Sequence, residues 1–71
     1  MQETRNERFK RLATARTNAV LDKLRLLGNL SSKSNYEYSE EEVRRIFSAV
    51  DSRLRSIRAK FEFGYKREFK L

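Results

Sequence analysis

Between Ser39 and Phe61 the chain repeats apolar residues at alternating spacings of four and three, and this repeat constrains the fold more than any other feature. Such spacing places the residues along one side of a helix, at the a and d positions of a heptad repeat. A helix of this kind needs a second helix to cover those side chains. We call this set the C-terminal seam; it comprises Val43, Phe47, Val50, Leu54, Ile57 and Phe61.

The residues just before this seam predict where its helix begins. Ser39 and Glu42 have the spacing of a capping box, in which each side chain accepts a hydrogen bond from the other residue's backbone N–H. Tyr38 and Val43 have the spacing of a hydrophobic staple. We therefore expect a helix over residues 39–62, with glutamates in its first turn, where the helix dipole favours anions. The expected i,i+4 ion pairs are Glu40–Arg44, Glu41–Arg45 and Asp51–Arg55.

A first helix is predicted over residues 5–27, because apolar residues again recur at heptad spacing and neither glycine nor proline interrupts them. Its N-terminal seam comprises Ala13, Thr17, Val20, Leu24 and Leu27. A flanking stripe at intervals of seven comprises Leu12, Ala19 and Leu26. Because one neighbouring helix covers less than this combined width, we expect the flanking stripe to contact another molecule.

The remaining segments are predicted as a loop and two ends. Residues 1–4 are expected to be loose. Gly28 is expected to end the first helix in a left-handed conformation, followed by a loop over residues 28–38. In that loop Tyr38 is expected to pack, whereas Tyr36 either packs or stacks on nucleic-acid bases. Residues 63–71 form an aromatic and basic tail: a frayed end is favoured, with a continued helix, a short extended segment or a binding tail as alternatives.

Together these features predict an all-α fold, a single domain over residues 1–71 in which two helices form an antiparallel hairpin. A core in so short a chain contributes only roughly 3–5 kcal/mol unless something reinforces it. The chain has no cysteine for a disulfide, so we expect a homodimer that forms a four-helix bundle. The expected core positions are Phe9, Ala13, Val20, Leu24, Leu27, Val43, Ile46, Phe47, Val50, Leu54, Ile57 and Phe61.

Several classes of function are disfavoured by the residues that are missing. Without histidine or cysteine the chain lacks the commonest general base and the thiolate metal ligands. The consecutive residues Glu40, Glu41 and Glu42 fan around a helix instead of converging on a metal. We therefore expect no catalysis, no cofactor and no metal. The charged N-terminus lacks the apolar stretch of a signal peptide, and no run is long enough for a membrane span, so a cytoplasmic protein is expected.

The charge balance points to a polyanionic partner. Lysine and arginine total 17 against 10 aspartate and glutamate residues, a net charge of +7. Basic groups spread along helices neutralise phosphates, and the arginine fork suits phosphate oxygens. Nucleic-acid binding is therefore the leading hypothesis, with DNA and RNA both compatible and no recognition motif visible. The expected contacts are Arg8, Arg11, Arg25, Arg45, Arg55 and Arg58.

Two other functions compete with nucleic-acid binding. In the first, the chain is a small helical adaptor or inhibitor whose exposed apolar seam docks on an acidic protein. In the second, which we rank last, a basic amphipathic helix lies on an anionic membrane surface. The acidic first turn of the C-terminal helix disfavours that membrane-surface function.

Part of the sequence also resembles a group of small, uncharacterised bacterial proteins, some of them carried on mobile elements. The likeness covers residues 16–47 and is carried by the segments Arg16-Thr17-Asn18, Leu26-Leu27-Gly28-Asn29-Leu30-Ser31, Ser34-Asn35-Tyr36-Glu37-Tyr38-Ser39 and Ile46-Phe47. The resemblance implies a bacterial or mobile-element origin and assigns no activity to any residue.

Overall fold

Two α-helices and a short 3-10 helix account for most of the described chain. The structure, a computed structural model, describes residues 2–65, with side chains through residue 62. Helix α1 spans Arg5–Gly28, the 3-10 helix spans Asn29–Ser31, and helix α2 spans Glu40–Tyr65. Because residues 2–65 contain no strand, the all-α class is confirmed. The hairpin and the four-helix bundle stay predictions.

The chain divides into two units, Met1–Glu37 with α1 and Tyr38–Leu71 with α2. In the first unit, α1 begins with a capping box formed by Thr4 and Glu7, which was not among the predicted features. The Glu7 N–H donates to Thr4 Oγ1 at 3.0 Å, and the Thr4 N–H donates to Glu7 Oε1 at 2.8 Å. These bonds satisfy two backbone donors at the helix start. The prediction that residues 1–4 are loose is therefore wrong for Thr4.

The end of α1 also differs from its prediction. Gly28 has φ −63° and ψ −27°, which are right-handed helical values. No glycine among the described residues has a positive φ. The chain instead tightens into the 3-10 helix, and the Asn29 N–H donates to the carbonyls of Arg25 and Leu26. Because these bonds satisfy carbonyls at the helix end, no left-handed residue is needed there, and the predicted role of Gly28 is wrong.

Short polar side chains organise the segment between the 3-10 helix and α2, as the sequence predicts. The Ser32 carbonyl accepts bonds from the backbone N–H groups of Asn35 at 3.2 Å and Tyr36 at 3.0 Å. The Ser32 and Ser34 hydroxyls lie 3.1 Å apart and share a hydrogen bond. The connection therefore contains a bonded turn at residues 33–35.

In the second unit, the predicted capping box of α2 is confirmed. The Glu42 N–H donates to Ser39 Oγ at 3.1 Å, and the Ser39 N–H donates to Glu42 Oε1 at 2.8 Å. Tyr38 and Val43, the predicted staple, are both half-buried. Helix α2 continues through Gly64 to Tyr65, so the predicted end at residue 62 is too early. A glycine costs a helix only about 1 kcal/mol and need not end it. The tail prediction for residues 66–71 lies outside the described residues.

The seams are open along both helices. No described residue of the single chain is buried. In the C-terminal seam Val43 and Val50 are half-buried, while Phe47 and Phe61 are 52% and 53% exposed. Neighbouring side chains of one helix shield each other only partly, so burial of the predicted core requires a second helix and stays a prediction. Within the described residues, neither helix has the length and apolar character needed to cross a membrane.

Candidate nucleic-acid interface

The predicted phosphate contacts of α1 are Arg8, Arg11 and Arg25, and all three are exposed. Arg8 and Arg11 are i,i+3 neighbours on the first turns of the helix, where residues three apart lie side by side. Arg25 lies in the last turn, about 21 Å farther along the axis at the standard helical rise. The predicted contacts on α1 are therefore spread over nearly its full length.

Arg11 is held by a carboxylate that precedes the helix. Its Nε and Nη2 atoms donate to the two carboxylate oxygens of Glu3 at 2.8 and 3.0 Å. These bonds raise the pKa of Arg11, since they stabilise the charged guanidinium. The prediction of loose N-terminal residues is thus wrong for Glu3 as well, and the Arg11 charge is already compensated in the free chain.

The capping box at the start of α1 also lowers the pKa of Glu7. The backbone N–H of Thr4, and secondarily its side chain, lower the pKa of Glu7 through hydrogen bonds. An ionised carboxylate in the first turn also interacts favourably with the helix dipole. Glu7 therefore remains anionic and anchors the start of α1.

Two further predicted contacts already have acidic partners. Arg25 donates twice to Asp22 Oδ1, at 2.9 and 3.2 Å. On α2, Arg45 lies 3.8 Å from Glu41, as the sequence predicts. Glu41 also accepts a bond from Arg44 at 3.1 Å. The predicted Glu40–Arg44 pair is wrong, because the Arg44 side chain bonds to Glu41 instead of Glu40.

The other three predicted contacts lack such partners. Within residues 2–62, no carboxylate lies within ion-pair distance of Arg8, Arg55 or Arg58, so the predicted Asp51–Arg55 pair does not form. Arg55 and Arg58 are i,i+3 neighbours on α2, with Cβ atoms about 5–6 Å apart in such pairs. We call Arg8, Arg55 and Arg58 the free arginines and Arg11, Arg25 and Arg45 the paired arginines.

A phosphate that binds a paired arginine must displace a carboxylate, whereas one that binds a free arginine displaces none. An exposed ion pair is worth about 0–1 kcal/mol, so a phosphate can replace its carboxylate at small cost. A free arginine meets a phosphate without that loss. The free arginines are consequently the stronger binding candidates, a ranking that depends on side-chain positions and was not visible in the sequence.

The predicted oligomer contacts form an open stripe on α1. Leu12 is half-buried, whereas Ala19 and Leu26 are exposed. Leu21 is 57% exposed and was absent from the predicted core and contact sets. It follows Val20 directly and so falls outside the heptad spacing that defines the N-terminal seam. Tyr36, the aromatic candidate for base stacking, is 49% exposed.

Within the described residues, no three acidic side chains lie close enough together to hold a metal ion. Comparison of the chain with protein-family models, with curated proteins and with solved structures found no match.

Proposed function

We propose that this protein binds nucleic acid without catalysis, through arginines displayed along its helices. The proposal is carried by one observation: Arg8, Arg55 and Arg58 are exposed and uncompensated on a chain of net charge +7. Positive groups along a surface neutralise phosphates and release condensed counterions, and this release drives binding.

The paired arginines would join the interface as a second group. Their carboxylates, Glu3, Asp22 and Glu41, hold them only through exposed ion pairs. Such pairs weaken as salt rises, and so does phosphate binding. Because a phosphate must displace the carboxylate of a paired arginine, affinity should follow the number of free arginines more closely than the total number of basic residues.

The test is a fluorescence-anisotropy titration of the full chain against labelled duplex DNA and against RNA, at several salt concentrations from about 50 to 200 mM. The slope of log affinity against log salt reports the number of phosphates neutralised. Replacing Arg55 and Arg58 together by glutamine should reduce that slope by about two. Weak binding to both nucleic acids that does not change with salt would reject the proposal.

A matched control keeps the net charge constant. The double variant Asp22→Asn with Arg25→Gln removes one ion pair and leaves the chain at the same net charge. Its salt slope should fall by less than one, because Arg25 must lose its bonds to Asp22 before it neutralises a phosphate. A full loss of about one in this control, half the loss of the Arg55/Arg58 variant, would show that the side-chain pairing does not rank the contacts.

A further inference from the structure

The C-terminal seam is an apolar surface with a narrow, regular shape. It follows the strict a and d spacing, which produces a narrower stripe than the broad apolar face of a helix packed on a globular core or inserted into lipid. Such a stripe matches another helix by knobs-into-holes packing. Leu54 and Ile57 in its second half are 46% and 41% exposed, so the neighbouring side chains of α2 leave this part accessible.

The residues that border this seam are predominantly basic. If Phe47, Leu54 and Phe61 occupy a positions, the bordering e and g positions are Arg44, Ile46, Asp51, Arg53, Arg58 and Lys60. Glu41 already compensates Arg44. Within the described side chains, Arg53, Arg58 and Lys60 lie within ion-pair distance of no carboxylate. The second half of the seam thus has uncompensated positive charge on both sides.

Such borders disfavour a second copy of α2 as the occupant. In a parallel pair, each Arg53 would face Arg58 of the second copy. In an antiparallel pair with full overlap, Arg44 would face Arg58 of the second copy, and Asp51 would face its own counterpart. Because e and g charges select coiled-coil partners, like charges at these positions oppose self-pairing through this seam.

Helix α1 is also a poor electrostatic match. The positions that border its N-terminal seam carry Arg16 and Lys23 on one side, with Thr14 and Leu21 on the other. Between residues 13 and 27 these borders include no carboxylate. Helix α1 therefore has apolar side chains that suit the seam of α2 but no carboxylates at its borders to pair with the cations of α2.

We infer that the C-terminal seam binds a helix of another protein that has apolar a and d residues and acidic e and g residues. This partner buries the seam and places its carboxylates opposite Arg53, Arg58 and Lys60. The interaction goes beyond the proposed nucleic-acid binding. It shares Arg58 with that function, whereas Arg45 and Arg55 lie outside the e and g positions that border the seam.

The test uses the full chain and three synthetic helical peptides of three heptads each. The first peptide has leucine at a and d and glutamate at e and g; the second has lysine at e and g instead. The third has the composition of the first in an order that destroys the heptad spacing. We expect the first peptide to bind about tenfold to a hundredfold more tightly than either of the others, because the lysine peptide loses the charge pairs and the third peptide loses the burial of the seam.

Two variants locate the binding. Leu54→Asn, which places an uncharged polar group in the seam, should weaken binding of the acidic peptide at least about tenfold and leave binding to duplex DNA unchanged, because it adds no carboxylate beside Arg55 and Arg58. Arg53→Glu with Arg58→Glu should reverse the preference toward the lysine peptide. Circular dichroism checks that both variants keep their helices, since both sites are exposed.

Three results would overturn the inference. Equal binding of the scrambled acidic peptide would reduce the interaction to charge attraction alone. Equal binding of the acidic and lysine peptides would show that the borders do not select the partner. A parent chain that is dimeric by light scattering and becomes monomeric with Leu54→Asn would assign the seam to a second copy. Failure of DNA binding alongside selective binding of the acidic peptide would reject only the proposed function.

Discussion

Replacing Gly28 with alanine should stabilise the end of α1. Gly28 has right-handed helical φ and ψ angles, and a Cβ atom built there would meet no atom within 4 Å beyond its chain neighbours and the backbone of its own helical turn. Alanine loses less backbone entropy than glycine on entering a helix, which is worth about 0.5–1 kcal/mol. Had Gly28 adopted the left-handed conformation that the sequence suggested, the same substitution would have destabilised the chain by about 1–2 kcal/mol.

Amide hydrogen exchange measures this effect at the affected turn. We expect exchange of the Asn29 amide, which donates to Arg25 and Leu26, to slow by about two- to fivefold, the equivalent of that free energy at 25 °C. Ala15→Gly, an exposed substitution within α1, is the control of opposite sign. Faster exchange at Asn29 in Gly28→Ala would refute a right-handed Gly28.

Other predictions concern the caps, the charge state and the oligomer contact. Ser39→Ala should destabilise α2 by about 1 kcal/mol in urea denaturation followed by circular dichroism, whereas Ser48→Ala, away from any cap, should change little. Because hydrogen bonds lower the pKa of Glu7, its stabilisation of α1 should be complete above the usual carboxyl range and vanish as pH falls through the lowered pKa; an NMR pH titration with an unshifted midpoint would contradict this. Replacing Leu12 and Leu26 by glutamine should convert the predicted dimer to a helical monomer in light scattering, and a dimer that persists would place the contact elsewhere.

The helices were predictable because their signals are local. Ser39 and Glu42 specify the start of α2 through two hydrogen bonds that span only three residues, and the same reasoning applied to Thr4 and Glu7 would have found the start of α1. Gly28 was misread because the sequence rule for helix ends describes a frequent conformation, whereas the 3-10 helix over Asn29–Ser31 offers an equivalent way to satisfy the last carbonyls.

The candidate interface was less predictable, because its properties depend on which side chains meet. Sequence spacing suggests Glu40 as the partner of Arg44, yet Arg44 bonds to Glu41. Spacing also cannot indicate that Glu3, which precedes the helix, reaches Arg11 across eight residues. Each such pair removes one positive charge from the surface that a polyanion meets.

Ion pairing also distinguishes the two halves of α2. Arg44 and Arg45, at the start of the helix, share the carboxylate of Glu41, whereas within the described side chains the cations of the second half pair with no carboxylate. There Arg55 is available to phosphates, while Arg53 borders the exposed Leu54 of the C-terminal seam. An anion without apolar side chains is held here only by attraction to the arginines. An acidic helix is held by that attraction and by burial of the seam. Apolar burial depends little on screening by salt, so the two partners should differ most at high ionic strength, where the acidic helix remains bound and nucleic acid is released.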